Sequence, residues 1–122
     1  MSHPHGFATL PPPPYYAVIF SSQRNGADED GYAATAAQLF DAVHDQPGFL
    51  GAESARDAQG FGITVAYFDS EAAIAAWRDD AAHAAARERG RRHWYRHYEL
   101  RIARVERAYG ARTPAAIAEA GA

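Results

Sequence analysis

Residues 49–68, FLGAESARDAQGFGITVAYF, decide the fold. Pro47-Gly48 breaks the chain ahead of this stretch, and Ala58-Gln59-Gly60 interrupts it. Phe49–Asp57 and Phe61–Phe68 therefore read as two strands of a hairpin. Working outward, Tyr15-Tyr16-Ala17-Val18-Ile19-Phe20 is a short run of β-formers and reads as the first strand. Ser21–Ala27 is polar, contains Asn25-Gly26 and reads as a loop. Asp28, Glu29 and Asp30 place negative charge where a helix starts, and Tyr32, Ala36, Leu39, Phe40 and Val43 continue at helical spacing. After the hairpin, Ser70 can cap a short helix carrying Ile74 and Trp77. Asp80–Arg89 continues as helix, with a possible kink, to an expected stop at Gly90. Tyr95–Tyr109 is the last strand, with Tyr98, Leu100 and Ile102 on one face. The order is βαββαβ, an α+β ferredoxin-like domain with a four-stranded antiparallel sheet and two helices on one face.

Composition bounds the rest. The chain of 122 residues is one domain's worth. Half of its 58 hydrophobic residues are Ala, so the aromatic residues must fill much of the core. With no Cys and no Lys, disulfides, thiolate catalysis and Schiff-base chemistry are excluded. A net charge of −3 argues against coating nucleic acid or an anionic membrane. No run reaches a membrane span, and a cytoplasmic location is expected. Residues 1–14, ending in Pro11–Pro14, read as a flexible proline-rich leader. Residues 15–110 form the domain, and 111–122 an Ala-rich tail.

A sheet with one wet face should alternate apolar and polar residues. Here Tyr16–Phe20 and Phe61–Phe68 are nearly continuous apolar runs, and Ala103 and Val105 add to the second face. Leaving that face wet would expose a large apolar patch, so a homodimer packed sheet to sheet is predicted.

Three chemistries compete for the remaining residues. The third strand echoes an RNA-recognition signature, but Gln59 and Ile63 stand where a basic residue and a second aromatic are needed. His93 and His97 are four apart but straddle a helix–strand junction with no placed carboxylate, so no metal site is expected. The pair Trp77 and His83, a large ring beside a titratable imidazole, is what a small-molecule site needs. Trp94-Tyr95 could line the same cavity or build the dimer interface, and the interface is the favoured role.

The first strand, the helix exit Gln46-Pro47-Gly48-Phe49-Leu50-Gly51, and the third strand leading to Trp77 and His83 resemble the antibiotic biosynthesis monooxygenase family. So does the ending Trp94-Tyr95-Arg96 through Arg104-Val105-Glu106-Arg107. The resemblance implies a dimeric α+β barrel. For some members it implies oxidation of aromatic polyketides by O₂ without a cofactor, and for others haem binding and degradation. Haem-degrading members carry an Asn on strand one, where this chain has Ser21, Ser22 and Gln23. Their ligating His also lies farther beyond the Trp than His83 does. No cofactor is therefore expected, with haem the lesser alternative. On the oxygenase reading His83 is the base and Trp77 its cavity partner. Phe20, Ser22, Arg24, Tyr67 and Trp94 line the substrate, with Ser22 or Arg24 as oxyanion donor. The competing class is a non-catalytic dimeric barrel that binds a small apolar ligand. A buried His83 touching Trp77 separates the first from the second.

Overall fold

The computed structural model describes residues 6–111. The strands are β1 (Tyr15–Arg24), β2 (Phe49–Arg56), β3 (Phe61–Phe68) and β4 (Tyr95–Val105). The helices are α1 (Glu29–His44), α2 (Glu71–Asp79) and α3 (Ala81–Arg89), and α3 runs into a π-helical turn over Gly90–Trp94. All strand pairs are antiparallel, in the order β2-β3-β1-β4. This is the ferredoxin-like α+β fold. The Ala-rich tail predicted for 111–122 lies, from residue 112 on, outside the described residues.

Local signals account for the helix ends. Asp28 caps α1 by accepting from the Gly31 amide at 3.2 Å, and Ser70 caps α2 by accepting from Ala73 at 3.0 Å. The kink expected before the Ala-rich helix falls at Asp80, whose backbone is extended. Its carboxylate accepts from the His83 amide at 3.1 Å and so restarts the helix as α3.

The register sorts the helix-side face into four cross-strand rows. They are Phe49, Phe68, Tyr16 and Arg104; Ala52, Ala66, Val18 and Ile102; Ser54, Thr64, Phe20 and Leu100; and Arg56, Gly62, Ser22 and Tyr98. The first two rows carry the core, where Phe68 packs with Val43, Ala73 and Ile74, flanked by Tyr16, Val18, Phe49, Ala66 and Trp77. The next two rows are increasingly polar. Ser54 is exposed, and its hydroxyl meets that of Thr64 at 2.7 Å. Tyr98, Leu100 and Ile102 share a face as expected. The helices nonetheless leave Leu100 and Ile102 half exposed, at 54% and 50%.

Three expectations are corrected. β1 runs to Arg24, four residues past Phe20, because Ser22 and Arg24 find internal partners and need no water. Gly90 does not stop the helix: a Cβ there would lie 2.8 Å from the Tyr95 ring, so its role is close approach. The last strand ends at Val105, not Tyr109. Within the proline-rich leader, Ala8 and Leu10 reach the sheet. The Ala8 amide donates to Glu53 at 3.0 Å, and Gly51 leaves room for Ala8 and Leu10.

Candidate functional site

Trp77 lies in the last turn of α2 and His83 in the first turn of α3, so the break at Asp80 folds the two rings together. They stack with centroids 4.5 Å apart and planes 12° off parallel. His83 Nδ1 is 3.0 Å from the Trp77 carbonyl, which can only accept, so Nδ1 carries the hydrogen. Nε2 then holds the lone pair of the neutral ring. Burial pulls the imidazole below its ordinary value of 6.5. The Trp77 carbonyl opposes that shift, Arg87 adds to it, and Asp80 opposes it. At neutral pH the result is an uncharged, oriented imidazole on the helix side of the sheet, able to accept a proton at Nε2.

The expected lining residues divide by place. Phe20 is on the helix side, edge-on to Tyr95 at 5.4 Å and tilted against Tyr98 at 5.4 Å. Ser22, 1% exposed, is also on that side, and its hydroxyl accepts from Arg56 Nη2 at 2.8 Å. Arg24, 5% exposed, donates to the Trp94 carbonyl at 2.7 Å, the Ala27 carbonyl at 3.2 Å and Glu29 at 2.8 Å. It is spent on holding the end of β1 to the π turn. Tyr67 does not join Trp77 and His83. It pairs with Ala17 on the opposite face of the sheet, where its hydroxyl donates to Glu53 at 2.7 Å. Burial and that carboxylate push its pKa up to about 12. Trp94 is set apart from Trp77 and His83 within the chain: it is 4% exposed, and its Nε1 donates to Asp28 at 3.2 Å. Asn25 lies past β1, where its amide donates to the His93 carbonyl at 2.9 Å and its oxygen accepts from Ala27 at 2.8 Å.

Two residues of the site escape a linear reading. Tyr32, in the first turn of α1, lies under Arg24, whose guanidinium carbon is 3.9 Å from the ring centroid. Trp94 and Tyr95 meet the same ring at 5.7 and 5.9 Å in T-shaped contacts. Arg56, from β2, crosses Gly62 and donates through Nη2 to Ser22 Oγ at 2.8 Å and Tyr32 Oη at 3.2 Å. Its Nη1 donates to the Gly60 carbonyl at 2.6 Å and the Ser22 carbonyl at 3.2 Å. A Cβ on Gly62 would lie 2.8 Å from the Arg56 guanidinium carbon, so this crossing needs glycine. Burial, and then the Tyr32 hydroxyl, raise the Tyr95 phenol well above its ordinary value, so it stays protonated. The only signal for Tyr32 and Arg56 in the sequence was Gly62, a glycine inside a strand.

Among the described residues no cluster of three or more His, Asp or Glu could hold a metal, and His97 pairs instead with Glu99 at 2.9 Å. No helix of the described residues is long and apolar enough to cross a membrane. On the opposite face, Phe61 and Ile63 are 45% and 42% exposed beside Val65 and Ile19.

A family model described as antibiotic biosynthesis monooxygenase matches residues 14–89. The uncharacterized protein YqjZ of Bacillus subtilis is 54% identical over 97 residues, which cover 80% of this chain and 84% of that protein. Among solved structures, protein SO0527 of Shewanella oneidensis superposes with a TM-score of 0.68 at 12% identity, over 78% of this chain and 94% of that one. Rv0793 of Mycobacterium tuberculosis does so with a TM-score of 0.67 at 14% identity, over 78% and 99%. At such identities the structural likeness speaks for the fold alone.

Proposed function

We propose, since this chain belongs to the antibiotic biosynthesis monooxygenase family, that it oxidises an electron-rich aromatic or quinone-type metabolite with O₂ and no cofactor, using His83 as the base. The observation that carries this reading is the stacked Trp77–His83 pair, with a half-buried imidazole held neutral and its tautomer set by the Trp77 carbonyl. A merely aromatic-filled cavity would not need an oriented lone pair.

The chemistry follows from that lone pair. Nε2 removes a proton from a ring methylene of the substrate, and the charge left behind delocalises onto the ring oxygen. The electron-rich anion passes one electron to O₂, and the radical pair joins carbon to oxygen. Return of the proton gives a hydroperoxide. Loss of the second methylene proton with cleavage of the O–O bond leaves a carbonyl and releases water. The balance is one methylene plus O₂ to one carbonyl plus H₂O. Trp77 supplies a flat apolar wall, and Phe20 and Leu100 an apolar floor one row along the sheet.

The reading includes a cytoplasmic homodimer formed through the face that carries Phe61 and Ile63, which in a monomer would leave apolar side chains in water. The test is oxygen uptake by the purified protein against a panel of anthrones. Uptake above the buffer rate that is lost in both Trp77→Ala and His83→Ala supports the assignment. Uptake that survives both substitutions contradicts it.

A further inference from the structure

The polar end of the helix-side face has a feature that base catalysis at His83 leaves unused. All four Nη hydrogen bonds of Arg56 go to neutral oxygens: the Ser22 carbonyl and hydroxyl, the Gly60 carbonyl and the Tyr32 hydroxyl. Among the described residues it forms no ion pair, whereas Arg24, its neighbour across Tyr32, is neutralised by Glu29. An ordinary surface arginine is mobile. This one, though exposed, is fixed at four points, and among the described residues neither its charge nor its Nε–H meets a carboxylate. It also donates to the Tyr32 hydroxyl oxygen, which shares a further hydrogen bond with Tyr95, so the phenol is held in place beside the guanidinium. The exposed Ser54 and the Thr64 hydroxyl adjoin it on the next row of the same face.

We propose that Arg56 and Tyr32 form a seat for an anionic oxygen of the ligand, a carboxylate or a phenolate, at the end of the helix-side face remote from the core. The Ser22 row lies four residues along β1 from the Val18 row, which adjoins the core cluster that also carries Trp77. At the rise of a strand this is about 13 Å. A ligand lying along these rows would present an apolar ring system to Trp77, Phe20 and Leu100, and a negatively charged substituent to Arg56. Ser22 and Arg24 do not fill this role themselves, because one is covered by Arg56 and the other is consumed by Trp94, Ala27 and Glu29. The assignment deepens the oxygenase reading by naming the polar half of its substrate.

Fluorescence titration of the full-length protein with anthracene carboxylate and with the neutral anthracene carboxamide tests it. The wild type is expected to bind the carboxylate about tenfold more tightly, the low end for one charged hydrogen bond. Raising the ionic strength should reduce that preference. Arg56→Met should bring the carboxylate to the affinity of the amide and leave the amide unchanged. Arg56→Lys keeps the charge but not the fork, so it should retain a smaller preference and control for folding. Tyr32→Phe should reduce the preference by about threefold. His83→Phe should leave the preference intact while oxygen uptake falls, which separates this seat from the proposed base. Equal binding of both probes by the wild type, or of neither, overturns the inference. So does a folded Arg56→Met that keeps the preference.

Discussion

Replacing His83 by Phe separates the two things the imidazole does. The new ring can keep the stack on Trp77, now at 4.5 Å and 12°, but it has no lone pair and no N–H. The structural loss is the hydrogen bond from Nδ1 to the Trp77 carbonyl. That carbonyl still receives the Asp80 amide at 3.1 Å, so no buried acceptor is stranded. The expected cost is therefore one ordinary hydrogen bond, about 0.5–1.5 kcal/mol. For a domain of this size that lowers the melting temperature by roughly 2–10 °C. Loss of a general base costs far more in rate, on the order of 10²–10⁴. The assay pairs initial oxygen uptake on a responsive anthrone with thermal melting followed by circular dichroism. A near-native melt with turnover down by at least a hundredfold is the predicted outcome. A variant within about threefold of wild type refutes the base assignment, since no structural damage would be there to blame.

Oxygen uptake should show an acid limb with a midpoint below 6.5, because burial depresses the His83 pKa; that limb should vanish in His83→Phe. The same shift fixes the sign for stability. Between the two pKa values the unfolded state binds the proton, so the His83 contribution is full above about 6.5 and lost as pH falls through the folded value; melting curves across that window check it. Arg24→Met removes bonds to Trp94, Ala27 and Glu29 but strands no buried charge, because Glu29 is 66% exposed. A loss of about 2–4 kcal/mol in urea unfolding is expected. Ile63→Arg places a charge on the exposed apolar face of β3; analytical ultracentrifugation should show a dimer for the wild type, as proposed, and a monomer for the variant. A wild-type monomer at micromolar concentration would remove the dimer from the account.

The sheet was legible because its signals are local. The turn at residues 58–60, the break at Pro47-Gly48 and the Ser70 cap place the hairpin and the two helices that flank it. The Trp77–His83 pair was legible for the same reason: six residues separate them, and one Asp ends α2 and caps α3. What failed were inferences that need register. Tyr67 and Phe68 are neighbours in sequence, yet one faces Glu53 on the outer side and the other is the most buried residue of the core. No local signal says which side each takes. Trp94 reads as an interface residue because it is large and precedes a strand. It is buried within the chain because Asp28 and Tyr32, more than 60 residues away, close over it. Polar Ser22 and Arg24 look like loop residues until their partners are known. One of those partners, Arg56, comes from the far edge strand, across a glycine that only the paired register sets opposite Ser22.

The proposed oxygenase would insert oxygen from O₂ into an aromatic substrate held beside the Trp77–His83 pair. The most direct measurement is turnover of an anthrone under heavy-isotope dioxygen, with mass spectrometry of the quinone formed. The account predicts one labelled oxygen in the new carbonyl, formed faster than in buffer and at the uncatalysed rate in His83→Phe. Quinone formed no faster than in buffer, or carrying oxygen from water instead of O₂, contradicts it.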